Sequence, residues 1–425
     1  MTISEAFKQF LENSKVDNYE QINNRYKEIT KKLNKTFRNT DSDSYNSLQV
    51  GSYGRYTGIK GISDLDMLYI MPKSKWCIYE HHPRKLLQDV RDALKDRYPA
   101  TEIHFDRLVV DVFFTNFTYE VQPVFESEDG YLFPDTHYNN YRLTKPKQEQ
   151  QAMTDFKKYH GGHHRLLCKM VRSWKNTVGL AMGGLLVDTL TYNFLKSNGC
   201  YDFATFSNFD IMCRDFFLFL KNEQRHDHYQ ALGSNQDVKV KHPFQNKAKQ
   251  AYYTSLKAIA ENNEVLRNKT WREIFGFAFP KELHTISSVQ INSDITDLEE
   301  FIEDFYPIDI KYELKINCQM TCAGFRSDLL QNFLKSKRKI PHDYSLMFYI
   351  EKTDAPLGFE VRWKVRNVGD VAERRNCLRG QIIKSNNGFD KRKETSNFYG
   401  PHYVECYLIY KGVVVARDRI DVPIE

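Results

Sequence analysis

The chain has no apolar run approaching the length needed to span a bilayer, which excludes a membrane-spanning helix. Residues Met1 to Lys8 also lack the basic start and apolar stretch of a secretion signal, so a cytoplasmic protein is the expectation. Paired Cys-x-x-Cys knuckles are missing. The eight cysteines (Cys77, Cys168, Cys200, Cys213, Cys318, Cys322, Cys377 and Cys406) are scattered, which argues against a disulfide framework and a zinc ribbon and predicts reduced, mostly buried thiols. There is no internal repeat and no low-complexity tract. Charge of one sign is scarce too: a net +6 suits phosphate-bearing ligands without demanding a nucleic-acid duplex.

What is present is ample for real cores. A length of 425 residues exceeds what one core usually supports, so two domains are expected. Tyr19, Ile22, Tyr26, Ile29, Leu33 and Phe37 recur every three or four residues and predict a long amphipathic helix. A second helix is predicted over 83–98, then two strands, 107–114 and 118–125, joined by a short turn. From 145 to 279 the pattern is mainly helical, with Leu166, Met170 and Trp174 along one face. A polar stretch through Asp294 reads as a linker, and 298–305 as a short helix. Beyond it, 308–318, 345–351, 359–366, 380–384, 403–410 and 413–422 carry strand character at a spacing that suggests a sandwich.

The most informative stretch is V-G-S-Y-G-R-Y-T-G-I-K-G-I-S-D-L-D-M-L-Y-I-M, residues 50–71. Gly51 lets the backbone approach a phosphate without a Cβ, and Ser52 adds a hydroxyl and an amide, so together they can cradle a triphosphate tail. Asp64 and Asp66 lie two apart in a strand, so both carboxylates project from one face. Two adjacent hard oxygen ligands suit Mg²⁺, and without a cation they would repel. Either element alone is an ordinary turn or a solvated face; their combination is far more specific.

Two-metal nucleotidyl transfer needs a third acid to share the metal that activates the attacking hydroxyl. Asp111 in R-L-V-V-D-V-F-F and Glu120 in F-T-Y-E-V-Q-P-V-F-E are equal candidates by spacing, and either could instead face outward. His160, His163, His164 and Cys168 offer zinc-ligand types, but on a helix only some of them share a face.

These residues resemble the nucleotidyltransferase superfamily of DNA polymerase beta, in the branch of oligoadenylate synthases, cyclic GMP-AMP synthase and their bacterial relatives, the CD-NTases. Gly51-Ser52, Asp64-Leu65-Asp66, residues 119–125 and Val171-Arg172-Ser173-Trp174-Lys175 carry the likeness over roughly the first 280 residues. The resemblance implies an α+β, polymerase-beta-like core with a helical lobe. It implies Glu120, where relatives usually have Asp, as the third metal ligand beside Asp64 and Asp66. It also implies two Mg²⁺ ions, with Mn²⁺ as an alternative. Arg172 stands where relatives often have a triphosphate-contacting Lys, and an Arg keeps the charge and can bind phosphate bidentately. Gly184-Leu-Leu-Val-Asp188 stands where relatives often read Ser-x-x-x-Glu.

The segments R-W-K-V-R-N-V-G-D-V-A, C-L-R-G-Q-I and G-P-H-Y-V-E-C-Y-L-I-Y-K-G resemble the adenylyl/guanylyl and SMODS C-terminal sensor domain. This implies a β-sandwich-like module that takes a nucleotide. Arg362, Lys364, Arg366, Arg379, Lys391, Arg392, Lys393 and His402 lie near Trp363, Tyr399 and Tyr403, a combination suited to phosphate and base or, equally, to a solvated outer face. The expected organisation is a nucleotidyltransferase over 1–285 and a β-rich domain over 296–425. The resemblance implies an enzyme that joins nucleoside triphosphates into a cyclic or short linear oligonucleotide, with release of pyrophosphate and a downstream effector answering the product, in antiphage signalling. A polymerase-type or small-molecule nucleotidyltransferase, and a nucleotide-binding sensor without turnover, are the alternatives.

Overall fold

The computed structural model describes residues 1–202, 204–281, 299–368, 372, 379–397 and 400–424. They form two compact units: Thr2–Ser173 with Gly183–Asn262, and Met1, Trp174–Met182 and Asn263–Glu425. No helix among the described residues is long and apolar enough to cross a membrane.

The first unit opens with α1 (Ile3–Asn13), whose start is fixed by a reciprocal capping box between Thr2 and Glu5, and α2 (Tyr19–Arg38), which ends on Asn39 in the left-handed region. Then follow β1 (Ser47–Gln49), the one-turn α3 (Gly51–Gly54), β2 (Asp64–Ile70), α4 (Trp76–Tyr79) and α5 (Pro83–Arg97). Strands β3 (Glu102–Phe105), β4 (Val110–Phe113), β5 (Thr118–Ser127), β6 (Gly130–Asp135) and β7 (Asn140–Thr144) complete the sheet. Its order is β1-β2-β5-β4-β3, with β6 on the far part of β5 and β7 beyond it; β2 and β5 run parallel.

Alternation along the strands gives the sheet two different faces. Leu65, Met67, Tyr69, Val110, Val112, Tyr119 and Val121 point to one side, where Ile22, Ile29 and Leu33 of α2 and Leu86, Leu87, Val90 and Leu94 of α5 cover them. The other side keeps Asp64, Asp66, Asp111 and Glu120, all half-buried. The helical lobe contains α6 (Pro146–His160), α7 (His163–Thr177, whose residues from Trp174 onward belong to the second unit), α8 (Gly184–Ser197) and α9 (Phe209–Asn222). The small hairpin β8–β9 (His228–Gln230, Asp237–Lys239) and α10 (Gln245–Ala260) complete it.

The second unit takes α11 (Glu264–Phe275) and two antiparallel sheets. The first contains β10 (Leu314–Thr321), β11 (Asp328–Leu329) and, after α12 (Leu330–Lys335), β12 (Ser345–Thr353) and β15 (Lys391–Thr395), in the order β11-β10-β12-β15. The second contains β13 (Glu360–Asn367), β14 (Arg379–Ile383), β16 (Gly400–Tyr410) and β17 (Val413–Ile424), in the order β14-β13-β16-β17. Ile316, Cys318, Leu346, Phe348, Trp363, Val404, Cys406 and Val422 form one core between them, so the expected sandwich is present. The helix expected over 298–305 is instead a single 3₁₀ turn, Ile302–Asp304, entered from an extended Phe301 and followed shortly by Pro307. The linker through Asp294, together with Cys377 and Tyr399, lies outside the described residues.

Candidate active site

The Gly-Ser turn is built against β2. Val50 N–H donates to the Asp66 carbonyl (2.9 Å), and Gly51 then turns at φ +62°. A Cβ on Gly51 would sit 1.8 Å from Asp66 Oδ2, so only glycine brings this backbone onto the carboxylate. The carbonyl of Ser52 accepts from Thr57 N–H (2.9 Å) and Gly58 N–H (3.1 Å), closing the loop behind the hydroxyl. Gln150 of α6 brackets the turn from outside, donating to the carbonyls of Gln49 (2.7 Å) and Gly54 (3.3 Å).

Register shows how the candidate acids are arranged. In the parallel β2–β5 pair Asp66 is opposite Glu120, and in the antiparallel β4–β5 pair Asp111 is opposite the same Glu120. One row of three acids therefore crosses three strands on one face, with Asp64 two residues along β2. Both candidate third acids point to this face. Glu120 is one strand from Asp66, whereas Asp111 is two strands away, roughly 10 Å at the usual strand spacing.

The donor set suits Mg²⁺. Among the described residues no group of three or more His, Cys, Asp or Glu side chains is already gathered to hold a metal ion. Mg²⁺ seldom uses such an all-protein cage; it takes one or two carboxylates and completes its shell with water and substrate phosphates. Asp64, Asp66 and Glu120, with a backbone cradle pressed against Asp66, fit that mode.

Behind the turn lies an ionic hub that was not legible in the sequence. Asp188 of α8 is fully buried and accepts from Arg55 Nε (2.7 Å), Thr57 Oγ1 (3.2 Å) and Arg172 Nη1 (2.6 Å). Arg55 Nη1 also donates to Glu149 (3.1 Å), whose other oxygen accepts from Ser234 (3.3 Å). Burial pushes the Asp188 carboxyl upward, but Arg172 and Arg55 outweigh it and hold the group well below the ordinary carboxylate range. For Glu149 burial wins over Arg55, and its carboxyl is raised. Arg55 follows directly on Gly51–Gly54, which was its only sequence signal.

Arg172, expected as a triphosphate contact, is placed differently. It is buried at 5% exposure, and its guanidinium is engaged by Asp188, the Gly184 carbonyl (2.9 Å) and the Cys168 carbonyl (3.4 Å). The structure brings Gly51, Ser52, Asp64, Asp66 and Glu120 together and gives Arg172 a place in the hub beneath them. Gly184 and Asp188 are both spent on that same arginine.

The zinc constellation is not assembled. His160 lies against Asp202 (3.0 Å), while buried His164 Nε2 lies 3.1 Å from the Asp188 carbonyl and 3.1 Å from Thr191 Oγ1. Cys168 Sγ lies 2.9 Å from the same hydroxyl. In the second unit many of the expected ligand-facing cations are matched internally. Lys364 meets Glu299 (2.8 Å) and Arg366 meets it too (3.3 Å); Arg379 (2.9 Å) and Arg392 (2.7 Å) share Glu394, and Arg362 meets Glu360 (2.8 Å). His402 lies 2.7 Å from Asn367, and Lys391 and Lys393 are exposed on β15.

Residues 1–156 match the family model of the Second Messenger Oligonucleotide or Dinucleotide Synthetase domain, and residues 296–425 match that of the Adenylyl/Guanylyl and SMODS C-terminal sensor domain. Among solved structures, the chain is similar to E. coli MS115-1 CdnC in its complex with HORMA-deltaN. The identity is 14%, the match covers 65% of this chain and 98% of that one, and the TM-score is 0.50, a likeness of fold. It also matches the apo form of Vibrio cholerae DncV (14% identity, 55% of this chain and 69% of that one, TM-score 0.45). A third match is the Rhodothermus marinus CdnE c-UMP-AMP synthase with Apcpp and Upnpp (14% identity, 61% and 98%, TM-score 0.44). No curated protein matches the chain.

Proposed function

Because the chain belongs to the CD-NTases and carries a C-terminal adenylyl/guanylyl and SMODS sensor domain, we propose that it joins nucleoside triphosphates into a cyclic or short linear oligonucleotide, releasing pyrophosphate. The observation that carries this reading is the acid row beginning at Asp66, with the Gly51–Ser52 turn pressed onto the same carboxylate. Bound Mg²⁺ or Mn²⁺ supplies charge neutralisation at the phosphates and lowers the pKa of the acceptor hydroxyl. Asp64, Asp66 and Glu120 hold it. The backbone and hydroxyl of the Gly51–Ser52 turn hold the donor's outer phosphates, and Glu120, next to Asp66, is positioned to share the acceptor side and help remove its proton. Arg172 acts at one remove, by fixing Asp188 and through it Arg55 at the end of the turn.

The C-terminal unit, with its charge pairs intact, suits a folded receptor for a nucleotide better than an open cationic surface. Antiphage signalling through a downstream effector is the setting this proposal shares with the family. The test is to incubate the pure chain with all four triphosphates and Mg²⁺ or Mn²⁺, then identify products by mass and nuclease sensitivity. A cyclic or short oligonucleotide with pyrophosphate supports the proposal. Products that appear only with added RNA or a small acceptor support the other nucleotidyltransferase classes, and binding without product supports a silent sensor.

A further inference from the structure

Tyr56 has unusual backbone for its residue type. Its φ is +62°, in the left-handed region that a bulky side chain rarely enters. The neighbours account for this. Arg55 (2.7 Å) and Thr57 (3.2 Å) both reach inward to the same oxygen of fully buried Asp188, so the residue between them is turned outward. The amides of Thr57 and Gly58 are also tied to the Ser52 carbonyl, which links the position of residue 56 to the candidate phosphate turn. Glycine would adopt this backbone without strain. The chain carries an aromatic ring here instead, and it is 68% exposed.

The ring is not loose. The guanidinium of Arg165 from α7 lies 4.9 Å from its centroid. Arg165 Nε is buried without a hydrogen-bond partner among the described residues, so the cation is held there without full use of its donors. One helical turn further along the same face stands Lys169, in the field of Lys15, Arg165 and Arg172. An exposed aromatic ring braced by a cation, in a cationic field and coupled to a phosphate turn, is a surface for a planar, anionic ligand.

We infer that Tyr56, braced by Arg165, is a stacking platform for the base of a nucleoside triphosphate whose phosphates lie at the Gly51–Ser52 turn, which makes it a specificity-determining residue. The inference rests on the synthase reading and names how that site selects its substrate. Stacking accepts any base but favours the larger purine face. The side chain is retained for binding at the expense of backbone comfort.

Binding of non-hydrolysable ATP, GTP, CTP and UTP analogues and of inorganic tripolyphosphate, each with Mg²⁺, is measured calorimetrically on the full chain. The proteins compared are the wild type, Tyr56→Phe, Tyr56→Gly and Tyr56→Asn, the last also tolerant of this φ. Wild type and Tyr56→Phe should bind the purine analogues more tightly than tripolyphosphate. Tyr56→Gly and Tyr56→Asn should lose about 10-fold in purine affinity. Their tripolyphosphate affinity should be unchanged and their melting temperature equal or higher. Unchanged purine affinity in both variants overturns the platform, as does an equal loss for tripolyphosphate, which would mean that the loop and not the ring was at work. Either result in a protein that still makes product leaves the synthase reading standing. A wild type that binds no triphosphate removes both.

Discussion

Two rows of charged side chains each cross three strands, and they are built oppositely. In the C-terminal sheet Lys364, Glu405 and Arg419 are successive cross-strand neighbours on β13, β16 and β17, so the signs alternate. Added contacts complete them: Glu405 meets Arg417 (3.0 Å) and Lys364 meets Glu299 (2.8 Å). In the N-terminal sheet Asp66, Glu120 and Asp111 are successive neighbours on β2, β5 and β4, and all three are acids. Like charges directly opposite each other are unfavourable across strands. Such a row gathers hard oxygen donors on one face of the sheet, the arrangement that the proposed metal site would use. Alternating charge along one strand says little; the neighbour across the ladder tells a binding face from an internal salt bridge.

The comparison is broken most severely at Asp66. Asp66→Asn removes one charge from the row and should abolish product formation, because in the proposed site this one carboxylate would hold the metal while packing against the Gly51–Ser52 turn. Relief of the repulsion from Glu120 should offset the lost attraction to Arg55 and leave the melting temperature little changed. Mass-resolved product analysis and calorimetry on the same preparation check both halves. Full activity in this variant, or a protein several degrees less stable, would make the row a structural device.

The opposite signature is expected at Glu405. Removing it leaves buried Lys364 and half-buried Arg417 with one partner fewer and Tyr407 without its acceptor. Glu405→Ala should therefore cost about 3–5 kcal/mol, read as a lower urea midpoint for the C-terminal unit. The pH dependence has a definite sign. Burial pushes the Glu405 carboxyl up, but Arg417 and Lys364 outweigh it and hold it below its ordinary value. Its contribution is full above the unfolded carboxyl pKa of about 4.3 and is lost as pH falls through the lower folded value.

Much of this contrast was legible in the sequence, though unevenly. The period of α2, the apolar β2 and the two acids on it were plain, since local patterning decides them. The order of the third acids was not: spacing treats Glu120 and Asp111 alike, and only the strand order, with β5 between β2 and β4, separates them. β15 was missed because K-R-K-E-T is a charged edge strand with little strand propensity, the kind of sequence that guards an edge. Arg172 was assigned to phosphate by resemblance alone; its pairing with Asp188 on the next helix was not legible, because a buried ion pair leaves no periodic trace. The pairing of Lys364 and Arg366 with Glu299, more than 60 residues earlier, left no local trace either.

A third way of handling charge lies beside the hub. His164 is almost wholly buried, its Nδ1 has no hydrogen-bond partner among the described residues, and burial holds its pKa down at about 4 against the contrary pull of the Asp188 carbonyl. The ring is therefore neutral in the native state. A folded pKa below the unfolded one means full stability above about pH 6.5, with progressive loss as pH falls toward about 4, amounting to about 3 kcal/mol. His164→Gln should flatten that part of the profile of urea midpoint against pH. A slope that persists in the variant would assign the acid sensitivity to the carboxylates.

The smallest effect, and the sharpest test of the acid row, is at its far end. Asp111 is separated from Asp66 by the whole of β5, so a metal held at Asp64 and Asp66 is within reach of Glu120 before it is within reach of Asp111. Asp111→Asn should leave product formation within about three-fold of wild type and raise stability by roughly 0.2–1 kcal/mol, the size of one relieved cross-strand repulsion. Glu120→Gln, one strand nearer, should remove synthesis. If the two variants exchange these behaviours, the third ligand is Asp111 and the metal sits further across the sheet. If both are silent, the metal-binding part of the row reduces to Asp64 and Asp66.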